Sequence, residues 1–110
     1  MTLEQLRTFG CNVDEGLARC MNNEAFYIML VNKLLSSTDL SKLENALNEN
    51  DLETAFKEAH SLKGVCGNLS LTPLFNVLSE MVEHLRVKET MDYGPSFNKL
   101  RSLFNDLRAM

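Results

Sequence analysis

LETAFKEAHSLKGVCGN, residues Leu52 to Asn68, sets Leu52, Ala55, Ala59, Leu62 and Cys66 three or four positions apart, and Leu69 continues the series. That spacing gathers apolar side chains on one face of an α-helix. A helix turns about 100° per residue, so His60, Lys63, Gly64 and Gly67 fall together on the neighbouring stripe. The helix is therefore expected to anchor in a core while the imidazole faces water. Asp51, directly ahead, is suited to cap the helix and fix where it starts.

The same periodicity extends in both directions. Thr2 to about Phe9 reads as a short helix with Leu3, Leu6 and Phe9 as its apolar edge, and Asp14 to Cys20 as a second, with Asp14 placed to cap it or to favour its positive end. A long helix opens near Asn23 and buries Phe26, Tyr27, Leu30, Val31, Leu34 and Leu35. Ser36 to Asp39 interrupts it before Leu40, Leu43, Ala46 and Leu47 resume the pattern, which predicts either a kink or a second helix capped by Asp39. Asn48 to Asp51 is a polar turn. After the quoted stretch, Thr72-Pro73 predicts a helix with threonine as its cap and Leu74, Val77, Leu78, Met81 and Leu85 inward. Gly94-Pro95 opens a last helix carrying Phe97, Leu100, Leu103, Phe104 and Leu107. Met29 and Met91, like Met81, read as core or gap-filling side chains. No alternating stretch supports a strand. The fold class is all-α, an antiparallel four-helix bundle preceded by short N-terminal helices.

A chain of 110 residues with 45% apolar content is expected to form one domain spanning residues 1–110, with a single core. A net charge of −4, with no run of Lys or Arg, argues against a nucleic-acid or anionic-membrane surface and for a protein partner. Cys11, Cys20 and Cys66 are odd in number and lack Cys-x-x-Cys spacing, as expected of free thiols in the reducing cytoplasm. The longest apolar run, Ala25 to Val31, is far too short to span a bilayer. No basic-then-apolar signal opens the chain, and Met1 with its helix favours a free-standing protein. Metal is not expected: di-iron bundles use Glu-x-x-His, whereas Lys57 and Met81 stand three residues before His60 and His84. There is also no Gly-rich nucleotide loop, so ATP chemistry must lie elsewhere.

A nucleophilic imidazole, a cation one turn on and a side-chain-free position beside them make a phosphoryl-acceptor layout. Ala59-His60-Ser61-Leu62-Lys63-Gly64 resembles the signature of the histidine-containing phosphotransfer (HPt) domain family, in which a histidine is followed by an apolar residue, lysine and glycine. Gly16 to Cys20, Asn23 to Tyr27, Asn68-Leu69 and Leu74 are similar to the family as well, so the resemblance runs from about Asp14 to Arg86. It implies that His60 accepts phosphoryl on Nε2, that Lys63 offsets charge on the phosphoryl oxygens, and that Gly64 leaves room for a partner's acidic pocket. Gly67 extends the clear strip or permits close helix packing. Lys57 adds positive field, and Arg86 can approach His60 as a second cation. Leu6, Phe9 and Phe56 are candidates for the docking rim, although Phe56 also suits the core.

The resemblance further implies response-regulator receivers or a hybrid histidine kinase as partners, a monomer, no cofactor of its own, and Mg2+ brought by the receiver. This chain departs from the family pattern twice. Ser70 stands where many members have glycine after the motif helix, and Val82 where many have Glu or Gln beside the imidazole. Glu83, Ser79 or water would have to substitute for that polar group. Val82 favours a relay module over the substrate domain of a chemotaxis-type kinase. It also keeps open a different reading, a module that binds or sequesters receivers without transferring phosphoryl.

Overall fold

Capping side chains divide the chain into seven helices in the computed structural model, which describes residues 1–110 and contains no strand. Helix α1 (Leu3–Phe9) starts with a reciprocal pair: Gln5 N–H donates to the Thr2 hydroxyl and Thr2 N–H donates to the Gln5 side chain. Gly10 ends it at φ 110°, a left-handed conformation that glycine adopts without a Cβ penalty. Helix α2 (Val13–Arg19) is capped by Asn12, which accepts from Glu15 N–H, and not by Asp14. Asp14 sits in the first turn and pairs with Arg7 at 2.8 Å, so its charge still favours that helix end.

Asn23 caps α3 (Glu24–Ser37), and the interruption after it yields a separate helix, α4 (Ser41–Asn48). Asp39 is not its cap. Leu40 occupies that position, and Asp39 accepts from Ser41 N–H at 2.9 Å, which holds its carboxyl below the usual range. Arg108 closes the break by donating to the carbonyls of Leu35 and Thr38, orphans at the end of α3. Asp51 caps α5 (Leu52–Asn68) through Thr54 N–H, as expected. In α6 (Thr72–Arg86) the cap is Leu71, and Thr72 is already helical. Its hydroxyl instead accepts from Asn12 N–H at 3.2 Å, tying the start of α6 to the start of α2. Gly94 and Pro95 open α7 (Gly94–Arg108).

Helix α4 packs on α5, α5 on α6, α6 on α7, and α7 on α3, which closes a four-helix bundle with the α3–α4 pair as one side. Helix α1 packs on α2 and α2 on α3, and Asn12 and Arg19 also bond Thr72 and Gly67 where α5 turns into α6. Twenty-seven buried residues form one hydrophobic cluster that extends from Leu6 to Leu107. Tyr27 is fully buried there, and its hydroxyl donates to the Leu69 carbonyl at 2.7 Å. Gly16 makes room for that ring: a Cβ at position 16 would lie 2.6 Å from it.

Tyr27, Val31, Leu34 and Leu35 fill the inward face of α3. Phe26, one residue round, is turned toward solvent and is 39% exposed. Met29 at 54% and Met91 at 38% exposure are surface side chains, whereas Met81 is buried in α6, so only one of these three methionines fills the core. No helix is long and apolar enough to cross a membrane.

Candidate functional site

His60 stands at the middle of α5 on its exposed side, while Ala55, Ala59 and Cys66 are buried. The helix is thus held by its small apolar residues and presents the imidazole outward. One turn earlier, Phe56 stacks on the imidazole, with ring centroids 5.5 Å apart and planes 30° from parallel. Lys63, half-buried, places its Nζ 5.7 Å from the centroid of the Phe75 ring on α6.

The two glycines of the motif differ. Nothing lies within 4 Å of where a Cβ would stand at Gly64, so the space beside the imidazole is open. At Gly67 a Cβ would meet the Phe75 ring at 3.1 Å, a close helix approach. Gly67 therefore serves packing inside the molecule, and Gly64 answers to nothing inside it.

His60, Lys63, Gly64, Gly67 and Asn68 line one wall of a cleft of about 560 Å³, and Asn12, Glu15 and Arg19 from the N-terminal segment face them across Phe75 and Asn76 of α6. Arg19 fastens the far wall. It donates to the Gly67 carbonyl and to the Ser70 hydroxyl, and it pairs with Glu15 at 2.9 Å. Ser70 in turn donates to Glu15 at 3.1 Å. Ser70 has φ 54°, so the turn after α5 takes the left-handed form that glycine would favour. A side chain there carries a strain of about 1 kcal/mol, offset by its two hydrogen bonds.

Phe75 beside Gly67 and Arg86 beside Phe56 fix the antiparallel register of α5 and α6, which sets Val82 abreast of His60 and Ser79 abreast of Lys63. Val82 is fully buried. Neither proposed substitute reaches the imidazole: Glu83 pairs with Arg86 at 3.6 Å, and the buried Ser79 hydroxyl has no hydrogen-bond partner. Arg86 lies over the Phe56 ring, its Cζ 5.3 Å from the centroid. Lys57 is exposed and pairs with Glu53 at 3.4 Å, which offsets its charge, and it lies outside the cleft lining with Arg86. His84 is engaged with Glu89 at 2.9 Å. Leu6, a candidate for the docking rim, is fully buried and cannot serve there.

The cleft wall contributed by Asn12, Glu15, Arg19, Thr72, Phe75 and Asn76 is absent from the reading of the motif. Phe75 had a signal: it is an aromatic residue off the Leu74, Val77, Leu78, Met81 stripe of its own helix. Arg19 and Glu15 show only an i,i+4 pair in sequence, and their reach to Gly67 and Ser70 is tertiary. The three cysteines are buried and free. Burial pushes the Cys66 thiol up to about 12 and Cys11 up to about 11, so both stay protonated and are poor nucleophiles.

A family model described as Hpt domain matches residues 35–110, from the end of α3 through α7. The match starts later than the resemblance traced from Asp14, and it continues past Arg86 to the last residue. No curated protein and no solved structure matches the chain.

Proposed function

This chain belongs to the Hpt domain family, and from that premise we propose that it is a phosphorelay intermediate that takes a phosphoryl group on His60 from the aspartyl phosphate of one receiver domain and passes it to another. The observation that carries the reading is the exposed imidazole beside an open Gly64 position and at the rim of a cleft shared with Lys63. In the neutral tautomer that carries its proton on Nδ1, Nε2 holds the lone pair that attacks phosphorus. As the N–P bond forms, the P–O bond to the aspartate breaks, and the carboxylate leaves with its electron pair. The Nδ1 proton stays on the ring and is shared with water.

Lys63 supplies positive charge to the phosphoryl oxygens as they spread charge in the transition state. The open face at Gly64 admits the receiver's acidic pocket to the imidazole. Mg2+ arrives with the receiver, and this chain needs no cofactor of its own. We place it in the cytoplasm as a single-domain monomer, bound neither to nucleic acid nor to membrane, with receivers or a hybrid kinase as partners.

The test is transfer of radiolabelled phosphoryl from a phosphorylated receiver of the same organism, with His60→Gln as control. Acid-labile, base-stable label on the native chain alone supports the relay. Receiver binding without label supports the sequestering module that Val82 keeps open. Neither binding nor label overturns both.

A further inference from the structure

The imidazole abreast of Val82 lacks the polar neighbour that would ordinarily orient such a ring, since Glu83 and Ser79 do not supply one. A histidine on an exposed helix face samples several rotamers, and a nucleophile that must meet phosphorus in line is slowed by each unproductive one. The contact that restricts His60 is aromatic. Phe56, four residues earlier, is placed where helical neighbours meet, and its 5.5 Å centroid separation lies within the range of attractive ring pairs.

Phe56 is itself held. It is half-buried against the core, and the Arg86 guanidinium covers its ring at 5.3 Å, within cation–π range. Arg86, Phe56 and His60 thus form a relay of contacts from α6 to the imidazole.

We infer that Phe56 is the positioning residue for His60, orienting the nucleophilic ring by stacking where a hydrogen-bonded side chain is lacking, with Arg86 steadying Phe56. The inference rests on the phosphotransfer reading above. Stacking leaves both ring nitrogens free, so it sets direction without fixing the tautomer. It acts on the rate of transfer within the receiver complex.

Two measurements decide it. In proton NMR of the native chain, the His60 ring protons should be shifted upfield by the Phe56 ring current, with the His84 ring as internal reference. The shift should vanish in Phe56→Leu, persist in Phe56→Tyr and weaken in Arg86→Gln, a surface change that leaves the fold intact. In single-turnover transfer from a saturating phosphorylated receiver, Phe56→Leu should be slower by about tenfold, and Phe56→Tyr should restore the rate.

An unshifted His60 in the native chain, or transfer by Phe56→Leu at the native rate, overturns the positioning role and leaves the relay reading standing. Failure of the native chain itself to take up label removes the relay reading, and the inference falls with it even if the stack is present. Should Phe56→Leu not fold, the native spectrum and Arg86→Gln still decide.

Discussion

Glycines 64 and 67 sit in the same helix, three residues apart, and each lowers helix propensity by about 1 kcal/mol relative to alanine. Their surroundings assign that loss differently. Gly64→Ala should raise stability by about 1 kcal/mol in urea denaturation while slowing phosphoryl transfer, because the new methyl meets no atom of this protein and projects toward the partner. Gly67→Ala should gain less than that or lose stability, since its methyl presses on Phe75 at 3.1 Å. Equal gains at the two sites would show that Phe75 yields freely. Gly16→Ala should cost about 2–3 kcal/mol, because the Cβ meets the buried Tyr27 ring at 2.6 Å and must displace it. The motif side chains were legible because helical periodicity alone puts His60, Lys63, Gly64 and Gly67 on one stripe. The different duties of the two glycines were not, since what stands opposite each depends on how far α6 lies from α5.

At the level of elements, the start signals that sequence supplies are local, and they located six of the helices to within a residue or two. The remaining ambiguity, a kink or a break after α3, resolved as a break, with Arg108 from the last helix bonding the freed carbonyls. Asp14, Asp39 and Thr72 were each one or two residues from the true cap. In the case of Thr72 the reason is tertiary: its hydroxyl serves Asn12 of the N-terminal segment. Helix α2 was readable as a helix but not as a wall of the cleft, because the Arg19 bond to the Gly67 carbonyl joins residues far apart in the chain. Arg19→Ala removes that latch and leaves Glu15 without its cation. The amides of α2 should then exchange with deuterium faster while those of α5 and α6 stay protected. Unchanged exchange in α2 would mean that its packing on α3 and the Asn12 bond to Thr72 hold it without the latch.

For the molecule as a whole, the buried thiols couple folding to alkali. Cys66 is pushed from an ordinary 9.0 to about 12 and Cys11 to about 11, in both cases chiefly by burial. The native state keeps these protons at a pH where the unfolded chain has released them, so the stabilisation is complete below about pH 9 and is lost as pH rises toward the folded values. Each thiol can contribute a slope of up to about 1.4 kcal/mol per pH unit in that window. Unfolding free energy from urea titrations should fall steadily from pH 9 to 11, and Cys66→Ala should flatten the slope. A slope unchanged by that substitution would show that another group governs it. Leu6→Ala, which opens a void at a fully buried position, should cost about 2–5 kcal/mol, a large part of the stability of a small domain. The vacancy at Gly64 also bears on how variants would fare under selection. In a library of variants screened only for folded protein, alanine would displace glycine at position 64. Once survival also requires signal to pass between proteins, glycine should return there, while position 67 gives similar answers under both screens.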